Sequence, residues 1–328
     1  MVRVTSTPAL DAPPRPEDLE QHRRELTGYC YRMLGSGFEA DDAVQETMVR
    51  AWKHLDTFEG RSSLRSWLYR IATNVCLDLL RGRQRRAQPM EMGPSSTADA
   101  TLPAPLAESA WVQPVPDGHV LPSGGDPAEL AEARETIRLA FVAALQHLPP
   151  RQRAVLILRE VLRWSAAEVA ELLDTTVVSV NSALQRARAT LAATDLDADT
   201  PVEVDADHED LLARYVEAFE RYDVESLVAL LQEDATFTMP PHPIWLQGPV
   251  QVSGWLLGQG IGCRGSRLLP TTANGRPAFG SYRVDPEGGH TPFALQVLEI
   301  SDGRIAEIHN FLYPELFPAF GLPIHLDD

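Results

Sequence analysis

Up to about residue 193 the apolar residues recur at three- and four-residue spacing, and beyond residue 234 they gather into short runs split by turn signals. That change of period from helical to strand-like restricts the chain to helical domains followed by an α+β domain. Leu26, Tyr29, Cys30, Met33 and Leu34 form one helical stripe, ended by Gly35-Ser-Gly37. Val44, Met48, Ala51, Trp52 and Leu55 form a second, and Leu64, Trp67, Leu68, Ile71, Val75, Leu79 and Leu80 a third. Trp67 lies within its stripe and reads as core.

Between the two regimes, residues 88–126 carry seven prolines among Ser, Ala, Gly and acids. Such a segment cannot sustain a helix, so it is expected to be a flexible linker, with Trp111 an isolated apolar residue in it. The resulting plan is a flexible N-terminus (1–18), a helical domain (19–87), the linker (88–126), a second helical domain (127–194) and an α+β domain (205–328). In the second helical domain Leu139, Val142, Leu145 and Leu148 stop at Pro149-Pro150, and a short helix follows from Arg151. Ser165 with Glu168 three residues on predicts a capped helix to Leu173. A break at Asp174-Thr-Thr precedes a further helix over 176–190, which completes a helix-turn-helix pattern. In the last domain, strands are expected at 235–239, 267–273, 278–284, 293–301 and 304–312, and Asp302-Gly303 is a hairpin turn.

The chain of 328 residues has a net charge of −17, unevenly distributed. Residues 61–86 hold seven arginines and one acid, whereas 205–328 hold seven arginines and eighteen acids. Local charge decides what a nucleic acid meets, so a basic patch and an acidic domain share one polypeptide. Three cysteines, far apart and without paired spacing, speak for a reducing cytoplasm and against a disulfide scaffold or a zinc site. No apolar run approaches the ~18 residues that would span a membrane.

The runs Asp41-Asp42-Ala-Val-Gln45-Glu46-Thr-Met-Val-Arg50-Ala-Trp52 and Gly60-Arg61-Ser-Ser-Leu64-Arg65-Ser-Trp67-Leu-Tyr69-Arg70-Ile-Ala-Thr-Asn74 resemble the second conserved domain of extracytoplasmic-function (ECF) bacterial sigma factors. Leu148-Pro-Pro-Arg151-Gln152-Arg-Ala-Val-Leu156 and residues 165–188 resemble that family's fourth domain. Residues 205–328 resemble the SnoaL-like, NTF2-like cone that some sigma factors carry as an extension. The fold class implied is two all-α sigma domains, the second a helix-turn-helix, plus a C-terminal α+β cone.

The resemblance implies a promoter-specificity subunit, not an enzyme by itself, with core RNA polymerase and promoter DNA as partners and no cofactor or metal. An anti-sigma factor or a small ligand at the C-terminal domain would be a further partner. Asp41, Asp42, Gln45, Glu46 and Arg50 would meet polymerase. Arg61, Ser62, Ser63, Leu64, Arg65, Arg70, Asn74, Asp78 and Arg81 would hold the −10 element, arginines on phosphates and a pocket around an unstacked base. Ser179, Asn181, Ser182, Gln185, Arg186 and Arg188 would read the −35 element from the major groove. Asp174 stands where a turn glycine is commoner, and Asn181 and Ala183 replace positions that are often basic, which implies weak DNA affinity for the isolated chain.

In the cone, Asp234, His242, Trp245, Tyr282 and His309 are candidates for lining a pocket, though none has diagnostic catalytic spacing. The acidic domain is expected either to fold over the basic surface or to brace the helical domains. Two rival readings stay open: a ligand-responsive helix-turn-helix regulator, and a SnoaL-type isomerase or cyclase with an N-terminal fusion.

Overall fold

In the computed structural model, which describes residues 14–60, 62–193 and 206–327, the helices begin and end on residues suited to the task. Helix α1 (Pro16–Glu20) starts on a proline, whose missing N–H is no loss there. Helix α2 (Arg23–Leu34) ends on Gly35 at φ 71°, the left-handed cap a side chain would strain. Ser36 caps α3 (Gly37–Lys53) by accepting from the Glu39 N–H, and Ser63 caps α4 (Leu64–Leu79) by accepting from that of Ser66. Each cap satisfies a donor the helix itself cannot.

Short helices α5 (Asp117–Val120), α6 (Pro127–Glu135) and α7 (Leu139–Gln146) follow, then α8 (Pro150–Leu156), which widens into a π turn over Ile157–Val161. Ser165 and Glu168 form the expected reciprocal capping box on α9 (Ala166–Leu172), and Thr176 caps α10 (Val177–Ala192). The tight turn between them runs through Asp174 at φ 49°. There the Thr175 N–H donates to the Ala170 carbonyl at 2.9 Å and the Asp174 N–H to that of Glu171 at 3.3 Å. This is a Schellman ending with aspartate in the position glycine usually takes.

The chain forms two compact units. Among the described residues the first comprises 14–83, 119–122 and 144–193, and the second 84–118, 123–143 and 206–327. In the first unit Leu26, Tyr29, Met33, Val44, Leu68 and Ala72 are fully buried where α2, α3 and α4 meet. The Tyr29 hydroxyl lies 2.8 Å from Thr73 Oγ1 in that core. Arg153 of α8 is buried and donates to the carbonyls of Met33, Gln146 and Leu148 and to Gln146 Oε1. Burial lowers its pKa to about 10, so it stays charged at neutral pH. One stripe expectation fails: Trp52 is 62% exposed. Trp67 is half-buried and packs on Phe58, ring centres 5.0 Å apart.

In the second unit, helices α11 (Ala206–Glu220) and α12 (Val224–Val228) precede strand β1 (Leu231–Thr238). Strand β2 (Trp245–Gln247) and helix α13 (Gly248–Leu257) come next, followed by β3 (Arg267–Ala273), β4 (Arg276–Val284), β5 (His290–Ser301) and β6 (Arg304–Phe311). The sheet order is β2-β1-β6-β5-β4-β3, with β1 parallel to β6 and the other pairs antiparallel. Asp302-Gly303 turns with both φ positive, 51° and 69°, and Asn274-Gly275 does the same at 57° and 73°. That geometry matches the twist of a two-residue hairpin. Leu211, Tyr215, Phe237, Trp255, Leu298 and Ile308 belong to the apolar cluster between the helices and the sheet. Neither β2 nor α13 was expected; three residues are too few to show a period, and α13 is apolar with two glycines.

The expectation of a flexible linker at 88–126 requires correction, because its first part packs along the second unit. Backbone N–H groups of Ser96 and Leu106 donate to the carbonyls of Trp245 and Pro241, and that of Ala98 to Gln251 Oε1. Val115 exchanges hydrogen bonds with Asn274, through its N–H to Oδ1 at 3.0 Å and its carbonyl from the Asn274 N–H at 3.1 Å. Trp111 is fully buried rather than incidental. The prolines leave room only for short helical turns such as α5, yet the remaining amides and carbonyls still need partners, and here strand edges and turns of the C-terminal domain supply them. Arg138 and Arg276 clasp Glu135 and Glu299 in one largely buried ion cluster that ties α6 to the sheet.

Candidate nucleic-acid and protein interfaces

Asp42, Gln45 and Glu46 lie exposed along one face of α3, as the spacing predicts. Val49 (39% exposed) and Trp52 (62%) extend the same stripe. Position 52 is seven residues beyond 45, about 20° around the helix, which puts it beside this face. Arg50 Nε donates to Glu46 Oε1 at 2.6 Å. Asp41 lies on a different flank, 4.0 Å from His119. Burial holds its carboxyl above the ordinary range against the lowering effect of that histidine.

On α4, Arg70, Asn74 and Asp78 are exposed and recur at four-residue spacing, one continuous stripe, and Arg81 is exposed in the turn just beyond the helix. Ser62, Ser63 and Leu64 lead into the helix, and Arg61 lies outside the described residues. Arg65 is engaged: its Nε donates to Glu25 Oε2 at 2.7 Å, and its guanidinium sits 5.1 Å from the Tyr69 ring centre and 5.3 Å from that of Trp164. Arg70 Nη2 donates to the Glu171 carbonyl of α9 at 2.8 Å. Asn74, Asp78 and Arg81 also border a cleft of about 350 Å³ whose other wall is Pro150 and Arg151.

The basic patch is therefore less bare than the sequence implies. Arg81 pairs with Asp78 at 3.0 Å, Arg83 with Glu39 at 2.6 Å and Arg85 with Glu91 at 2.7 Å. Arg86 is buried in the second unit, where it donates to the carbonyls of Glu108 and Trp111.

Helix α10 buries Val180, Leu184 and Ala187, which turns Asn181, Gln185 and Arg186 to solvent, with Ser179 exposed and Ser182 partly so. Arg188 is bound to Glu160, Nε to Oε1 at 3.0 Å, and so is less available than the sequence suggests.

The five pocket candidates of the C-terminal domain do not converge. Asp234 is exposed. His242 Nδ1 contacts the Pro103 carbonyl at 2.7 Å, and Trp245 Nε1 donates to that of Gly93 at 2.9 Å, so both serve the packed segment. Tyr282 is buried against Phe317 and donates to the Pro323 carbonyl. His309 is buried between Thr238 Oγ1 at 3.2 Å and Glu307 Oε2 at 2.8 Å. Behind it, on the opposite sheet face, Tyr215, Gln296 and Asn310 form a buried hydrogen-bond chain that the sequence did not disclose. Among the described residues no helix is long and apolar enough to cross a membrane.

Comparison with known proteins gives three family matches: Sigma-70 region 2 over residues 19–86, Sigma-70 region 4 over 138–191, and a SnoaL-like domain over 212–308. The ECF RNA polymerase sigma factor SigG of Mycobacterium tuberculosis is 46% identical over 313 residues, spanning 93% of this chain and 82% of its own length. SigJ of the same species is 27% identical over 314 residues, 92% of each chain. SigW of Bacillus subtilis is 33% identical over 170 residues, 52% of this chain and 82% of its own. The crystal structure of M. tuberculosis SigJ shares the fold, with a TM-score of 0.60 at 23% identity, covering 94% of this chain and all of that one.

Proposed function

The chain belongs to the ECF RNA polymerase sigma factors and carries a fused SnoaL-like domain, and from that membership we propose how its surfaces divide the work of promoter-specific initiation. Helix α3 docks on core RNA polymerase, α4 holds the opened −10 strand, and α10 reads the −35 element in the cytoplasm of its cell. The observation that carries this reading is the pair of exposed stripes: Asp42, Gln45 and Glu46 with Trp52 on α3, and Arg70, Asn74 and Asp78 on α4 with Arg81 in the turn that follows it. The first offers carboxylates around an aromatic anchor to a basic partner. The second offers cations for phosphates and an amide for a base edge.

In the isolated chain Arg65 and Arg70 are occupied by Trp164 and by the Glu171 carbonyl. Promoter binding therefore requires these contacts to give way, and polymerase docking supplies the free energy. The SnoaL-like domain acts through the segment it holds: with 84–118 seated on its sheet edge and turns, it sets the path of the chain between the two sigma regions. This favours a regulatory role for the domain over an incidental one.

Assembly of the full chain with purified core polymerase on a promoter template tests the assignment. Substituting Asn74 by Ala is expected to abolish open-complex formation while leaving core association intact. Normal strand opening by that variant would contradict the role given to α4.

A further inference from the structure

The exposed face of α10 has an unusual chemistry for a helix that meets DNA. From residue 175 to 186 the only charged side chain is Arg186. Val178 is 74% exposed and Val177 43%. The orientation of the helix is fixed by Val180, Leu184 and Ala187, which are buried. At about 100° per residue, Val178 falls almost diametrically opposite that core stripe. It stands three residues before Asn181, four before Ser182 and seven before Gln185, on the same outward face. An apolar branched side chain at the centre of the outermost stripe cannot serve the core, and it can neither donate nor accept a hydrogen bond.

We propose that Val178, flanked by Val177, is a specificity residue that reads thymine 5-methyl groups in the −35 major groove. The proposal rests on the assignment of α10 as the −35 reader. In that groove thymine is distinguished by its C5-methyl, which apolar side chains contact, whereas Asn and Gln suit adenine. The N-terminal residues of a recognition helix contact base edges, and Val177 and Val178 are the first two residues of α10. A valine beside Asn181 and Gln185 therefore selects A·T pairs by two complementary means: amides on the adenine edge and methyl groups against thymine. With one cation on the face, methyl packing also accounts for discrimination that phosphate contacts cannot provide.

The experiment uses holoenzyme assembled from the full chain and core polymerase. A −35 sequence is first selected from a promoter library randomised in that window, and each thymine in it is then replaced by 2′-deoxyuridine, which lacks only the methyl. Wild-type holoenzyme is expected to lose about three- to fivefold in promoter binding at one or two positions, the scale of one buried methyl group. Val178→Ala should bind the thymine template that much more weakly and show no further loss on deoxyuridine. Arg186→Ala should weaken both templates equally. A selected −35 element insensitive to deoxyuridine, or a loss that persists unchanged in Val178→Ala, overturns the proposal while leaving the −35 assignment intact. A holoenzyme with no −35 preference overturns both.

Discussion

The guanidinium of Arg65 lies 5.3 Å from the centre of the Trp164 ring, which joins the first turn of α4 to the segment leading into α9. A cation over an indole is worth about 0.5–2 kcal/mol, depending on how far it is desolvated. Trp164→Leu keeps apolar bulk but removes the ring, so amide exchange should rise together at 63–70 and 165–172. Exchange that rises only around residue 164 would show that the contact does not couple the two helices.

Acidic residues on α3 are predicted to matter for partnership and not for stability. Asp42 is exposed, and Glu46 makes only a surface pair with Arg50, the kind that contributes about 0.3–0.5 kcal/mol. Asp42→Ala with Glu46→Ala should leave the thermal transition nearly unchanged and weaken core polymerase association at least tenfold, the scale of one lost charge-assisted contact. A competition titration against a second sigma factor reads this directly.

Glu25 predicts an acid-sensitive fold. Burial would raise its pKa, but hydrogen bonds from His22 and Arg65 outweigh burial and hold it below the ordinary value of 4.5. A carboxyl depressed in the folded state contributes stability that is complete above its unfolded pKa and is lost as pH falls through the folded one. Stability should therefore drop below about pH 4.5, and Glu25→Gln should show a shallower drop there, at the cost of lower stability at neutral pH. Parallel acid limbs for the two proteins would exclude this carboxylate as a contributor.

At the turn of the helix-turn-helix, Asp174 holds φ 49°. Left-handed backbone costs an L-residue about 1 kcal/mol that glycine does not incur. Asp174→Gly is expected to stabilise the chain by up to about 1 kcal/mol, less the extra entropy glycine brings to the unfolded state. Asp174→Val should destabilise it, and calorimetry on the two variants reads both signs.

Trp111 is fully buried within the proline-rich segment, which groups with the second unit. Trp111→Ala should cost about 3–5 kcal/mol there and expose 84–118 to protease. Truncation after Ala193 should expose the same segment, because Trp245, Gln251 and Asn274, which hold it, are removed. Resistance of the segment in either variant would contradict its packed state.

What could be read in the sequence was whatever is written locally. Ser165 with Glu168, the Asp302-Gly303 turn and the α2 and α3 stripes declare themselves within a few residues, because caps, turns and helical faces are short-range. The seat of the proline-rich segment was hidden, since Ala98 and its partner Gln251 are 153 residues apart. The same holds for the arginines. Seven in a row of 26 residues read as a bare patch, but Glu25 lies 40 residues from Arg65 and Glu39 lies 44 from Arg83. Trp52 was misread for another reason: on a helix, a residue at the border of the apolar stripe also borders the exposed one, and only packing decides between them.

Run-off transcription with purified core polymerase on a promoter selected by this chain tests the central claim most directly. The full chain should yield a defined transcript that core polymerase alone does not, and at limiting concentration of the chain Asp42→Ala with Glu46→Ala should lower it at least tenfold although the variant folds. A transcript that survives this double substitution at full strength, or no promoter-specific transcript from the wild-type chain, would contradict the account.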